Sequence, residues 1–206
     1  KEAYTNMTSD ILKARSDAKL NQGQNFSRLM SFAMYGPKSP ATNLLTEAEL
    51  TNMNPQELVD RIHNQNSYKH RILYYGPSSS KDLLATINQY HQVPAALKDI
   101  PAGNEYSYLE TPVTKVLVAP YDAKQIYMAQ ISNLDKKYDP AIEPIRALYD
   151  EYFGGGMNSI VFQEMRETRG LAYSAWASIM PPSYLKYPYV LRTQIATQND
   201  KMIDAV

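Results

Sequence analysis

The stretch that decides the fold runs from Gly154 to Ser178 and reads GGGMNSIVFQEMRETRGLAYSAWAS. Three glycines open it, an amphipathic pattern ending in charged residues follows, and Gly170 then interrupts the helical periodicity. This order predicts a helix from about Asn158 to Arg169 and, after the glycine, a strand. Arg166 and Tyr173 are therefore expected on either side of one helix-to-strand corner.

The second half of the chain predicts alternating pairs of strands and helices. Residues 113–133 contain two β-rich segments separated by Pro120 to Lys124, and residues 139–156 repeat apolar side chains at helical spacing. Residues 171–180 and 187–198 have the composition of strands, and the final residues begin a helix. With the helix of the quoted stretch, the order is ββααββα.

The first half begins with two helices, predicted over residues 4–21 and 25–36. Two tetrapeptides, TEAE at Thr46–Glu49 and NPQE at Asn54–Glu57, have the form of capping boxes. The second also has a proline at the first helical position, which predicts a helix over Pro55–Asn64.

The segment after this helix, HRILYYGP at residues 70–77, is apolar and predicts a strand, and residues 78–92 predict another helix. Residues 93–112 contain proline and glycine without periodicity and are the candidate linker. A boundary near residue 110 divides the chain into residues 1–110 and 111–206.

Composition excludes several classes of function. Lys+Arg and Asp+Glu number 21 each among the 206 residues, so no overall basic charge favours nucleic acid or anionic lipid. The chain has no cysteine, which excludes disulfides, thiolate catalysis and cysteine zinc sites. No apolar run approaches the roughly 20 residues that a membrane span needs. A soluble chain is expected; its compartment stays open, with the cell envelope or periplasm as a guess.

The quoted stretch and the residues just before it resemble the insulinase/pitrilysin-type (inverzincin) zinc metallopeptidases. In that family an apolar residue and an arginine precede a tyrosine at the end of a GLAY-like sequence. Phe162, Arg166 and Gly170–Tyr173 match that pattern as they stand. The resemblance covers residues 113–206 and extends more weakly over residues 57–77.

The resemblance implies an α+β fold in which helices pack on a largely antiparallel sheet, as in a LuxS/MPP-like metallopeptidase repeat. Residues 1–110 would be the C-terminal part of one repeat, and residues 111–206 the N-terminal part of the next, carrying the Arg/Tyr pair. The chain would then be a fragment of a longer protein. Pairs of such repeats enclose a chamber for peptides.

The resemblance also implies that zinc binding and substrate contacts come from different halves of the enzyme. In the family, zinc is bound by an H-x-x-E-H helix and a downstream glutamate in the first repeat, while the arginine and tyrosine come from the opposite half. No H-x-x-E-H occurs here, so the zinc of the intact enzyme would be bound outside this chain and none within it. The chain alone is predicted to be inactive. Arg166 and Tyr173 would contact the substrate backbone and the oxyanion.

The implied partners are a peptide substrate and the missing zinc-binding half, in the same or a partner chain. Neither nucleic acid nor a membrane span is expected. Exposed apolar edges would also favour self-association.

Three other interpretations stay open. The first is that the chain belongs to members of the fold that have lost zinc and serve as scaffold or peptide-binding subunits. The second is that it is an α+β interaction module with a chance motif. The third is that the pair is structural, with Arg166 paired with Glu167 or Asp150 and Tyr173 filling the core. The small residues around Trp176 fit either core packing or a strand edge that accepts an extended peptide.

Overall fold

The computed structural model describes residues 2–206 and divides into two compact units. The first comprises the described part of Lys1–Leu12 together with Leu45–Glu105, and the second comprises Lys13–Leu44 together with Tyr106–Val206. The predicted division near residue 110 into parts of two repeats stays a prediction. Among residues 2–206 no helix is both long and apolar enough to cross a membrane.

The elements follow one another as helices, strands and short 3-10 turns. The helices are α1 (Glu2–Ala18), α2 (Gln22–Tyr35), α3 (Glu47–Asn52), α4 (Pro55–Asn64), α5 (Ser80–Tyr90), α6 (Glu143–Phe153), α7 (Ile160–Phe162, continued as a π-helical segment over Gln163–Thr168) and α8 (Met202–Ala205). The strands are β1 (Gln125–Lys137), β2 (Ala172–Met180) and β3 (Pro188–Gln198).

Local capping signals place the helices of the first unit. Thr46 and Glu49 form the predicted reciprocal capping box at the start of α3. Asn54 caps α4 through the backbone N–H of Gln56, and Pro55 occupies its first turn, so the predicted bounds of this helix are confirmed. Glu57 does not complete the second box, because the cap bond goes to Gln56 alone.

Two predicted strands are wrong. Residues 70–77 and 113–118 form no strand, and several of their apolar side chains, including Leu73, Tyr75 and Val116, are exposed. Their β-branched and aromatic residues favour extended backbone, but a strand also requires a hydrogen-bonded neighbour, and neither segment has one among residues 2–206. β1 therefore pairs with β3 and not with the segment before it.

The sheet lies in the second unit and has the order β1-β3-β2, with both pairs antiparallel. The prediction of helices combined with an antiparallel sheet is thus confirmed at that level. β3 is the central strand, and β1 and β2 are the edges of this three-stranded sheet.

One face of the sheet packs against the helices that precede and carry the corner. Ala172, Ala175 and Ile195 are buried together with Leu171 and Ala205, and Val161 and Met165 pack against them. Gly154, at the end of α6, approaches the backbone of Ala177 so closely that a Cβ there would overlap it. Gly154 therefore both follows the end of α6 and allows this helix to lie directly on β2.

Candidate functional site

Arg166 and Tyr173 lie side by side at the corner between the π-helical segment and β2. The guanidinium carbon of Arg166 is 5.0 Å from the ring centroid of Phe162 and 5.4 Å from that of Tyr173. Both separations are within cation–π range, so two rings orient the guanidinium. The three residues that carry the sequence pattern therefore form one contact cluster, hereafter the Arg–Tyr corner.

Tyr173 owes its position to an irregularity in β2. Ala172 pairs with Thr197 and Ser174 pairs with Ala196, so Tyr173 is an extra residue without its own partner on β3. Such a β-bulge bends the strand locally and redirects side chains. Ala172 and Ala175 both remain buried, whereas Tyr173 is 71% exposed.

Arg166 owes its position to the helix end. The helix widens to π geometry over Gln163–Thr168, with the N–H of Arg169 donating to the carbonyl of Glu164 at 3.1 Å. Gly170 then adopts a left-handed φ of 58°, and the N–H of Leu171 returns to the carbonyl of Met165 at 2.8 Å. Gly170 thus ends the helix as the sequence predicts, and the turn delivers β2 beside Arg166.

The interpretation that makes both residues purely structural receives mixed support. Arg166 does meet Glu167, but its Nε lies 3.5 Å from the carboxylate and the two side chains are 44% and 52% exposed. An exposed pair of this kind contributes little to stability. Asp150 is paired with Arg146 instead, and Tyr173 is not in the core.

A second cluster holds α6 against the strand that carries Tyr173. The Asp150 carboxylate accepts hydrogen bonds from Arg146 Nη1 at 2.7 Å, from Ser178 Oγ at 2.9 Å and from the Ile179 N–H at 2.8 Å. Arg146 also meets Glu143 at 3.0 Å. This mostly buried network fixes the C-terminal end of β2, the end away from Tyr173, on α6.

The Arg–Tyr corner offers hydrogen-bond donors at an exposed edge. The Arg166 guanidinium lies against the Phe162 and Tyr173 rings, and its side chain is 44% exposed. Its only carboxylate contact among the described residues is the one with Glu167, and no hydrogen bond of the Tyr173 hydroxyl is found there. Donors of this type bind carbonyl oxygens or a developing oxyanion. The corner is therefore equipped to hold peptide backbone and stabilise negative charge, and it contains no nucleophile or metal ligand set of its own.

Trp176 is half-buried on the other face of the sheet from Ala175 and Ala177, and the guanidinium carbon of Arg192 lies 5.0 Å above its ring. It is therefore not a core residue among the helices of the corner. β2, which carries Trp176, is an edge strand, as the peptide-binding interpretation requires.

Two of the three histidines lie together, but they do not form a zinc site. His70 and His91 lie in the first unit with their Nε2 atoms 2.7 Å apart, and His70 Nδ1 is 2.6 Å from the carbonyl of Tyr68. Two imidazoles are fewer than the three or four protein ligands of a zinc site. Within residues 2–206 no cluster of three or more histidine, aspartate or glutamate side chains is arranged to hold a metal ion. Residues 2–206 therefore provide no ligand set that fits a zinc ion.

The sequence interpretation missed two features of the second unit. Strict alternation from Ala175 and Ala177 would place Tyr173 on the core face, and no local pattern signals the bulge that exposes it instead. Arg192 stands in the strand sequence YVLRTQI, where a charged residue among apolar ones is the sequence signal of an arginine held inside the fold.

Comparisons with known proteins give one informative result. No protein-family model and no curated protein sequence matches the chain. Its fold is similar to a crystal structure described as a peptidase M16 inactive domain from Pseudomonas fluorescens, with a TM-score of 0.64 and 17% identity. The match covers 96% of this chain and 47% of that one. At this identity the likeness establishes the fold, and the chain spans about half the length of the matched structure.

Proposed function

We propose that this chain is part of the non-catalytic half of a zinc metallopeptidase and supplies substrate contacts to a zinc site located elsewhere. The observation that carries the proposal is the Arg–Tyr corner: Arg166 and Tyr173 match the family pattern and lie side by side with exposed donors. The likeness in fold to a peptidase M16 inactive domain supports it independently.

Each residue has a distinct task in this proposal. Arg166, oriented by Phe162 and Tyr173, binds the carbonyl oxygens of an extended peptide, and the Tyr173 hydroxyl donates to the oxyanion as it forms. β2 begins at this corner and is an edge strand, so a peptide lying along it would reach both donors. Zinc, bound by residues outside this chain, would supply the hydrolytic chemistry when present.

The zinc-binding half of the enzyme, which lies outside this chain, would cover two exposed apolar segments. Residues 70–77 and 113–118 present apolar side chains to solvent and have no strand partner among the described residues. A second polypeptide segment, from the same chain, a partner or another copy, would remove this surface from water.

The test is peptide hydrolysis by the full-length parent, with and without a zinc chelator. Arg166→Ala and Tyr173→Phe are compared with wild type, and Arg169→Ala is the matched control, because Arg169 is exposed near the same helix end and stacks on no ring. We expect chelation to abolish cleavage and each corner variant to lower kcat tenfold or more, about 1.4 kcal/mol of transition-state stabilisation. Arg169→Ala should cleave as wild type.

A scaffold or peptide-binding subunit is the second candidate, favoured by the absence of H-x-x-E-H and by the likeness in fold to an inactive peptidase domain. It predicts peptide binding without turnover. A parent that binds peptide but cleaves none with zinc present, or whose corner variants cleave at the wild-type rate, would refute the transition-state role.

A further inference from the structure

A cavity of about 620 Å³ lies on the face of the sheet opposite the corner, in the second unit. Its size is within the range of about 300–1,000 Å³ typical of small-molecule sites. Helix α2 forms one wall and strands β1 and β3 form the other. The residues that matter are Phe26, Met30 and Met34 on α2 and Tyr127, Arg192 and Gln194 on the strands.

The alternation of β3 separates this cavity from the Arg–Tyr corner. Ile195 belongs to the buried core against which Met165 packs. Successive residues of a strand face opposite sides of the sheet, so residues an odd number of positions from Ile195 lie on the other face. Gln194 is adjacent to Ile195 and Arg192 is three residues before it, which puts both on the opposite face. The cavity is therefore a second, separate feature.

Arg192 is the unusual residue of this cavity. Its Nη2 donates to Gln194 Oε1 at 2.8 Å and its guanidinium carbon lies 5.0 Å above the Trp176 ring. Its Nε is buried and has no hydrogen-bond partner, and no carboxylate pairs with it among residues 2–206. Burial lowers the pKa of the guanidinium, the direction expected when a cation loses water without gaining an anion.

None of the residues that line the cavity is acidic, so none of them could pair with the Arg192 guanidinium. The cavity wall carries a second cation, Arg28, and the hydroxyls of Ser27 and Ser31, and the rest is mainly apolar or aromatic. A half-buried arginine without an anionic partner is unfavourable in the free protein, and an arriving carboxylate would satisfy it bidentately.

We propose that this cavity binds an organic carboxylate that bears an apolar group, with the carboxylate on Arg192 and the apolar group against Phe26, Met30 and Tyr127. Both the C-terminal residue of a peptide and a free aromatic or aliphatic acid have this chemistry. The proposal stands apart from the proposed peptidase role, because it uses neither residue of the Arg–Tyr corner.

The test is isothermal titration calorimetry on the full chain with four probes. These are 3-phenylpropionate, N-acetylphenylalanine, its neutral amide, and a tetrapeptide that ends in phenylalanine with a free carboxylate. We expect the amide to bind at least tenfold more weakly than N-acetylphenylalanine. Binding of 3-phenylpropionate with similar affinity identifies a general carboxylate site, whereas binding of the acylated residue and the tetrapeptide alone identifies a peptide terminus.

The variants Arg192→Gln and Arg192→Met separate binding from folding. Each should weaken N-acetylphenylalanine at least tenfold, Arg28→Gln should weaken it less, and Arg61→Gln on the exposed face of α4 should leave it unchanged. Without ligand, Arg192→Met should be at least as stable as wild type in urea, because it removes an unpaired buried cation. Equal binding of acid and amide, unchanged binding by both Arg192 variants, or marked destabilisation of Arg192→Met would overturn the proposal.

Discussion

Replacing Asp150 with alanine should destabilise the second unit more than any exposed substitution does. The change removes the acceptor of three hydrogen bonds, at 2.7, 2.9 and 2.8 Å, and leaves Arg146 with Glu143 as its remaining carboxylate. The Asp150 and Arg146 side chains are 17% and 19% exposed, so solvent compensates little. Breaking a buried pair from one side costs about 3–5 kcal/mol, and we expect about 3 kcal/mol because Arg146 keeps one partner.

Urea unfolding monitored by Trp176 fluorescence measures this, because Trp176 is the sole tryptophan and lies on β2. A loss of about 3 kcal/mol lowers the midpoint by about 1 M or more at the usual urea slopes. The urea midpoint of Asp150→Asn should lie between those of wild type and Asp150→Ala, since its amide oxygen can still accept the hydrogen bond from the Ile179 N–H. Glu151→Ala, an exposed acid on the same helix, should change stability by less than about 0.5 kcal/mol. An Asp150→Ala midpoint equal to that of Glu151→Ala would refute the network's role.

Three further predictions concern the backbone, acid stability and a helix cap. Gly154→Ala should cost about 1–3 kcal/mol or more in the same fluorescence assay, because its Cβ would overlap the backbone of Ala177. The hydroxyl of Tyr189 holds the pKa of Glu143 below its usual range, so this contribution to stability is present at neutral pH and is lost as the pH falls through the lowered pKa. Thr46→Ala should raise amide hydrogen exchange in α3 about fivefold, the effect of losing about 1 kcal/mol of capping.

Each of these three predictions has its own control variant. Gly103→Ala is the match for the glycine, since nothing lies within 4 Å of the added carbon, and an equal effect at both sites would contradict the close-contact argument. Glu143→Gln should flatten the acid dependence of urea stability, and an unchanged acid profile would contradict that assignment. Thr46→Ser keeps the cap and should exchange as wild type; rapid exchange there would exclude the capping explanation.

The sequence predicts best what is decided by neighbouring residues. The bounds of α4 follow from Asn54 and Pro55, and the end of the helix before β2 follows from Gly170, because caps and left-handed turns act within a few residues. The strands over 70–77 and 113–118 fail because pairing is nonlocal: their composition favours extended backbone but cannot supply a partner.

The same distinction between local and nonlocal features applies to the candidate site. The pattern of Phe162, Arg166 and Tyr173 marks the residues that meet, and the structure brings them together. The bulge that exposes Tyr173 depends on register with β3, which no local pattern specifies. The cavity around Arg192 forms only where α2 meets β1 and β3, which are distant from it in the sequence, so no local pattern predicts it.

The arginines of the second unit differ in ways that separate structural from binding roles. Arg146 is held by two carboxylates and a carbonyl, so its donors are occupied and its replacement should affect stability first. Arg166 and Arg192 instead lie over aromatic rings, and a ring attracts a guanidinium without accepting the hydrogen bonds that a carboxylate would accept. Arg166 has one weak carboxylate partner and Arg192 has none among the described residues. Their replacement should therefore affect ligand binding or turnover more than folding.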